Sequence, residues 1–209
     1  MLRVPYRRPN AAVNLALFDF DGTISDRELF GAFVASAVPQ ARLRRGRWRF
    51  APSVLGYKLG LVSGSAIRAR VVDYGFRGLD AAGVEQAGRR FADEVLPASI
   101  RPEALQRIAW HREQGDTVVV VSGAFDVYLR HWCERHGLDL ICSQLDVEDG
   151  VLTGRYRGAQ CVGKEKPRLV RERYDLSRYA QIYAYGDTRE DLDMLALAHR
   201  RWYRWREMR

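Results

Sequence analysis

A chain of 209 residues is long enough to bury a sizeable core and short for two equal domains, so one domain with an insertion is the expected organisation. With 47% hydrophobic and 29% charged residues, no low-complexity tract and no internal repeat, it is excluded from the fibrous and disordered classes. No charge-free apolar run approaches the roughly 18 residues that span a bilayer. A net charge of +8 favours anionic partners, whether phosphate esters, anionic lipid or nucleic acid, without choosing among them.

The chain opens on MLRVPYRRPNAAVNLALF, basic residues before an apolar stretch. That stretch is short, has no cleavage site and runs straight into Asp19, so it reads as a core strand and not as a secretory signal. VNLALF (Val13 to Phe18) is the first predicted strand, and DFDGT, Asp19 to Thr23, follows it at once. Alternation puts Asp19 and Asp21 on one side while the chain turns at Gly22. Carboxylates at the end of a buried strand cost free energy unless something pairs with them. Two that converge there suit Mg²⁺, a hard cation that favours oxygen ligands, or a pair in which one attacks phosphorus and the other moves protons. Asp-Gly is also a common solvated turn.

Between Asp26 and about Leu96 no strand pattern occurs, while ELFGAFVASAV, SAIRARVVDYGF and AGVEQAGRRFADEVL carry helical spacing. A helical cap over residues 27–96 is therefore expected, inserted after the first strand between core segments 1–26 and 97–209. Ligands of open α/β sheets bind beyond the carboxyl ends of the strands, so such a cap would lie over the site, with Asp26 and about Ser99 as hinge regions. Within it, ARLRRGRWRFAPSVLGYKLG (Ala41 to Gly60) sets basic residues with Trp48, Phe50 and Tyr57 before an apolar stretch. The pattern suits peripheral contact with an anionic membrane or an ordinary helix with snorkelling arginines.

Three more apolar runs, TVVVVS (Thr117 to Ser122), LDLICSQL (Leu138 to Leu145) and AQIYAYG (Ala180 to Gly186), alternate with helical patterns such as DVYLRHWCERHG. The expected fold is α/β, a doubly wound Rossmann-like parallel sheet. Asp149-Gly150 predicts a hairpin on the sheet edge. In VVVVSGAFDVYL a strand delivers Ser122 and Gly123 to a helix start, either an anion site suited to phosphate or a simple turn and cap. In CVGKEKPRLV, Lys164 and Lys166 lie near a helix start with Pro167 in its first turn, where cations are disfavoured. A lysine there can neutralise a phosphoryl group and keep Asp19 charged; the alternative is two surface lysines. In YAYGDTREDLDML, Asp187 sits at a strand tip and Asp191 shares its helical face at i, i+4, toward the loop of Asp19; acidic first-turn residues are the plainer reading. RRWYRWREMR predicts a final edge strand with a basic tail, rather than a base-stacking segment. Cys133, Cys142 and Cys161 form no CxxC pair and read as reduced thiols of a cytoplasmic protein, and the four histidines lie outside these motifs.

DFDGT, VSGAFD, the Lys166 segment and GDTREDLDML together resemble the four motifs of the haloacid dehalogenase-like hydrolases, specifically the phosphoserine phosphatase-like branch with a helical cap after the first motif. The resemblance runs from about Val13 to Leu195, and the DGVLTG hairpin is similar to one in that branch. It implies a Mg²⁺-dependent phosphatase acting on a small phosphorylated metabolite. Asp19 would form an aspartyl-phosphate, and Asp21 would protonate the leaving alkoxide and then activate water. Mg²⁺ would be held by the Asp19 side chain, the Asp21 carbonyl and Asp187, with Asp191 orienting its waters. Ser122, Gly123 and a lysine would hold the phosphoryl oxygens; KPRLV favours Lys166, with Lys164 second. By spacing, Glu28 and Arg70 fall on positions that contact the substrate's amine and carboxylate in phosphoserine phosphatases. LFGAFV, CVGKEKPRLV and HRRWYRW also resemble segments of phosphatidylglycerophosphatase C, a lipid-phosphate member whose membrane-spanning cap segment this chain lacks. The alternatives are therefore a lipid-phosphate phosphatase, a phosphotransferase using the same aspartyl-phosphate, or, from another class, a membrane- or nucleic-acid-binding protein on a hydrolase scaffold; no specific nucleic acid is expected.

Overall fold

The computed structural model of the protein describes residues 13–58 and 63–208. The reading of the opening basic stretch at residues 1–12, and of the end of the Ala41 to Gly60 segment at residues 59–60, falls outside the described residues. Six strands form the main sheet: β1 (Leu15–Phe18), β2 (Thr117–Phe125), β3 (Asp139–Ser143), β6 (Ile182–Gly186), β7 (Arg200–Tyr203) and β8 (Arg206–Met208). Their order is β3-β2-β1-β6-β7-β8, parallel throughout except for the last pair. The chain winds outward from β1 through β2 and β3, then returns to the other flank of β1 with β6. The carboxyl ends of β1 and β6 thus flank a switch point, where α/β proteins bind ligands.

β1 and β6 are buried along their whole length, which is why both read as apolar runs. Alternate side chains go to opposite faces. Phe18, Val118, Val120, Tyr185 and Trp202 join one core cluster, while Leu15, Leu17, Val119, Val121 and Ala184 join the other with Met194 and Leu195. Helices α5 (Pro102–Glu113), α6 (Asp126–His136), α7 (Glu165–Arg173) and α8 (Leu192–Leu195) connect these strands.

Between β1 and β2 lie α1 (Phe30–Ala37), α2 (Gln40–Lys58), α3 (Gly64–Phe76) and α4 (Ala81–Glu94). Asp80 caps α4 by accepting from Gly83 N, and Ser63 caps α3 by accepting from Ala66 N. These helices share the first core cluster: Phe33 of α1 packs on Phe91, on Phe125 and on Tyr128, with ring centroids 5.4, 5.8 and 4.9 Å away. Gly88 of α4 lies against the start of α6, where a Cβ would stand 2.0 Å from the Val127 carbonyl oxygen. The chains entering and leaving the insertion bond to each other, Asp26 N to Ser99 O at 2.8 Å and Arg101 N to Ile24 O at 2.9 Å, at the two points expected as hinges.

Three segments differ from the sequence expectation. The Leu138 to Leu145 run is divided, because Gln144 ends β3 and Leu145 starts β4 (Leu145–Glu148). β4 and β5 (Val151–Tyr156) form their own antiparallel pair, not an edge of the main sheet. The exposed edge of β5 is covered by the link between α3 and α4, through Leu152 N to Leu79 O at 2.9 Å and Gly78 N to Leu152 O at 2.8 Å. At the chain end, β8 folds back on β7 because Arg204 and Trp205 both take the left-handed conformation, at φ 52° and 60°. Neither residue type signals such a turn. Among the described residues no helix is long and apolar enough to cross a membrane.

Candidate active site

Asp19 directly follows β1; its N–H donates to the Tyr185 carbonyl of β6 at 2.9 Å and its side chain is almost fully buried. The chain then turns through Asp21 and through Gly22, at φ 83°. A Cβ on Gly22 would lie 2.3 Å from Asp187 Oδ2, so glycine here serves the close approach of a carboxylate as well as the turn. Thr23 Oγ1 donates to Asp187 Oδ1 at 3.3 Å, and Leu29 N donates to Asp21 Oδ1 at 3.1 Å. Two strand ends are tied together by the residues that follow them.

β2 brings Ser122 and Gly123 to the same edge, with an irregular register between Ser122 and Phe125 that turns the backbone there. Lys166 comes from α7 and is 2% exposed. Its Nζ donates to Asp19 Oδ1 and to Asp191 Oδ1, both at 2.6 Å. Asp191 Oδ2 accepts from Asp187 N at 3.1 Å and from Thr188 N and Oγ1 at 2.9 Å each. Both Asp191 oxygens are committed, so this residue shapes the Asp187 turn and anchors Lys166.

Carboxylate oxygens of Asp19, Asp187 and Asp191 lie within 4.8 Å of one another. Asp19 Oδ2 and Asp187 Oδ2 take no hydrogen bond among the described residues. This donor set, hard oxygens with two left over, fits a hard divalent cation. A cavity of about 490 Å³ opens over these groups, lined among others by Asp19, Asp21, Glu28, Ser122, Lys166 and Asp187.

Burial sets the charges. It works against the Lys166 ammonium, but the carboxylates of Asp19 and Asp191 outweigh it and hold the lysine above its ordinary pKa. Burial likewise opposes the Asp191 charge, and Lys166 with the Thr188 bonds more than offsets that, so Asp191 stays below the usual carboxylate range. Asp21 bonds no cation: burial pushes it up to about 7, with Glu28 adding and the Leu29 N–H, Lys166 and Arg68 opposing.

Of the residues singled out in the sequence, Asp19, Asp21, Glu28, Ser122, Gly123, Lys166, Asp187 and Asp191 line this one cavity. Lys164 does not; it is exposed, one residue before α7 begins. Arg70 is also exposed and outside the lining, and Arg68 stands in its place. Two residues along a helix is about 200° of rotation, which turns one arginine in and the other out. A helical-phase signal for Arg68 was present, since it precedes buried Val72 by four residues on the face that also carries Phe76. Glu190, bonded to Arg68, Arg204, bonded to the Asp187 carbonyl at 3.0 Å, and Trp205, bonded to the Thr23 carbonyl at 3.2 Å, had no signal of their own.

Comparison with known proteins agrees with this geometry. The family described as haloacid dehalogenase-like hydrolase matches residues 16–196. Protein CicA of Caulobacter vibrioides is 32% identical over 199 residues, covering 91% of this chain and 85% of that protein. A phosphoserine phosphatase of Archaeoglobus fulgidus is 27% identical over 197 residues, 93% of this chain and 53% of its own length. A substrate-bound phosphoserine phosphatase structure superposes with a TM-score of 0.67 at 22% identity, covering 92% of this chain and 86% of that one, which shows the shared fold. The chain belongs to the haloacid dehalogenase-like hydrolases, and among them it is a phosphoric monoester hydrolase.

Proposed function

We propose that the protein is a Mg²⁺-dependent phosphatase that hydrolyses a small phosphorylated metabolite through an aspartyl-phosphate on Asp19. The observation that carries this reading is Lys166, buried and bonded at 2.6 Å to both Asp19 and Asp191 at the floor of the cavity. Burial pushes the Asp19 carboxyl well above its ordinary range, and an ammonium placed there opposes that shift while facing the phosphoryl oxygens. A volume of about 490 Å³ suits a small ester. The insertion over residues 27–96 acts as the cap, and segments 1–26 and 97–209 form the core.

In the first step an Asp19 carboxylate oxygen bonds to phosphorus while the bond from phosphorus to the ester oxygen breaks. Asp21, protonated, gives its proton to that leaving oxygen. In the second step a water oxygen bonds to phosphorus, the bond to Asp19 breaks, and Asp21 takes the proton of the water. A carboxyl pushed up to about 7 is present in both forms near neutral pH, as this double duty needs. Ser122, Gly123 and Lys166 hold the phosphoryl oxygens. Asp19, Asp187 and the Asp21 carbonyl would hold Mg²⁺, which when bound neutralises charge on the phosphoryl group. Asp191 keeps the Asp187 turn in place.

Phosphate release from a generic aryl phosphate tests the reading. Release with Mg²⁺, lost with chelator and lost in Asp19→Asn, is expected; full activity in Asp19→Asn removes it.

One feature favours a second role, contact with an anionic membrane, and with it a lipid phosphate as substrate. Trp48 on α2 is 87% exposed, and exposed Arg44 and Arg45, four and three residues before it, share its helical face. Salt-sensitive sedimentation with anionic vesicles, weakened in Trp48→Ala, is the expected result; equal recovery with neutral vesicles speaks against it.

A further inference from the structure

The Arg68 side chain enters the cavity from α3 already engaged. Its Nη2 donates to both carboxylate oxygens of Glu190, at 2.9 and 2.8 Å, and its Nη1 lies 3.6 Å from Glu28 Oε1. Its Nε is sealed from solvent with no hydrogen-bond partner, so it presents nothing to a ligand. One cation thus faces two carboxylates, and +1 with −1 and −1 leaves this trio at −1. The Arg68 side chain is 17% exposed, against 41% for Glu190 and 63% for Glu28, so the carboxylates are the more accessible partners.

This arrangement discriminates between substrates. A carboxylate brought here meets two like charges and a guanidinium whose charge is compensated. An ammonium meets uncompensated negative charge. Like charges juxtaposed in a partly desolvated site are strongly unfavourable, and opposite ones steer binding. Arg27, Arg101 and Arg189 also line the cavity, but Arg27 is paired with Asp26, Arg101 is held by the Ser25 carbonyl and Glu103, and Arg189 stands on the exposed rim, where among the described residues no ion pair or hydrogen bond holds its side chain. To grip an anion it would first have to be ordered.

We propose that the substrate is the phosphate monoester of an amino alcohol that carries no carboxylate, its ammonium received by Glu28 and Glu190 while Arg68 fixes the positions of both. The inference rests on the phosphatase reading of this cavity and narrows it.

O-phosphoethanolamine and O-phosphoserine differ only by the carboxylate and form the test pair, with an aryl phosphate alongside. The kcat/KM for phosphoethanolamine should exceed that for phosphoserine by about tenfold or more, and Glu190→Gln, which leaves Arg68 less compensated, should narrow the ratio by about tenfold. Equal turnover, a preference for phosphoserine, or no turnover of phosphoethanolamine by protein that hydrolyses the aryl phosphate overturns the inference. So does a Glu190→Gln protein in which both substrates change by the same factor, since that marks the pair as a brace between α3 and the turn after β6. Failure to hydrolyse even the aryl phosphate is a different result, which removes the phosphatase reading and this inference with it.

Discussion

The indole N–H of Trp205 donates to the carbonyl oxygen of Thr23 at 3.2 Å, across 182 positions of chain. Its neighbour Arg204 donates from its backbone to Gly186 O at 2.8 Å and from Nε to Asp187 O at 3.0 Å. The tight turn between β7 and β8 thereby braces the turns that follow β1 and β6, the two that carry Asp19 and Asp187. Trp205→Phe keeps a ring against Tyr185, now at a centroid distance of 5.8 Å, and removes the donor. It should lower unfolding free energy by about 1 kcal/mol and kcat/KM for an aryl phosphate by about five- to tenfold. Unchanged kinetics would show that the Thr23 turn holds its shape unaided.

Gly22→Ala tests the close approach of the two turns. Its φ of 83° disfavours any side chain, and the new Cβ would press on Asp187 Oδ2. The expected result is a fall in kcat/KM of about 100-fold with circular dichroism unchanged. Activity within twofold or so of wild type would mean that Asp187 can be displaced without consequence.

Lys166→Met leaves the carboxylates of Asp19 and Asp191 buried and uncompensated. Urea denaturation should show a loss of roughly 3–5 kcal/mol, because breaking one partner of a buried ionic cluster strands the others. Adding Asp19→Asn to the same protein should return part of it. If the double variant is less stable than Lys166→Met alone, the cost does not come from stranded charge.

His111 offers a pH test away from the cavity. It is fully buried between Asp116 Oδ2, 2.7 Å from its Nδ1, and the Tyr185 hydroxyl, 2.9 Å from its Nε2. A neutral ring satisfies both, with Nδ1–H donating to Asp116 and Nε2 accepting from Tyr185. Burial lowers its pKa, with Asp116 opposing. As pH falls through the unfolded value of about 6.5, the unfolded chain binds a proton that the folded chain refuses, so stability is lost toward acid. The stability difference between wild type and His111→Asn should therefore shrink between about pH 7.5 and about pH 5.5. A constant difference would mean that the folded ring titrates normally.

The sheet and the cavity floor were legible in the sequence because each depends on local pattern. Apolar runs mark buried strands, and an acid or a serine just past each run marks a strand tip. What escaped depends on relations between distant segments. The spacing that points to Arg70 carries no information on helical phase, and Arg68 lines the cavity instead because of which face of α3 is buried. The edge position given to the hairpin failed because its partner is the Gly78 to Ala81 link, a loop with no strand pattern. Arg204 and Trp205 were unreadable because their turn is imposed by what their backbone and side chains bond to, not by their own preferences.

The contact of Gly88 with the Val127 carbonyl, together with the Leu79 to Leu152 bonds, bears on how substrate gets in. A flap fastened only at its neck would sweep open as one body. Here the far side of the insertion is riveted to α6 and to β5 as well, so admission falls to the short span from Asp26 to Phe30 and to side chains at the rim. Deuterium uptake should accordingly find the amides of α4 as slow as those of α6, with the fastest exchange of the cavity wall confined to that span.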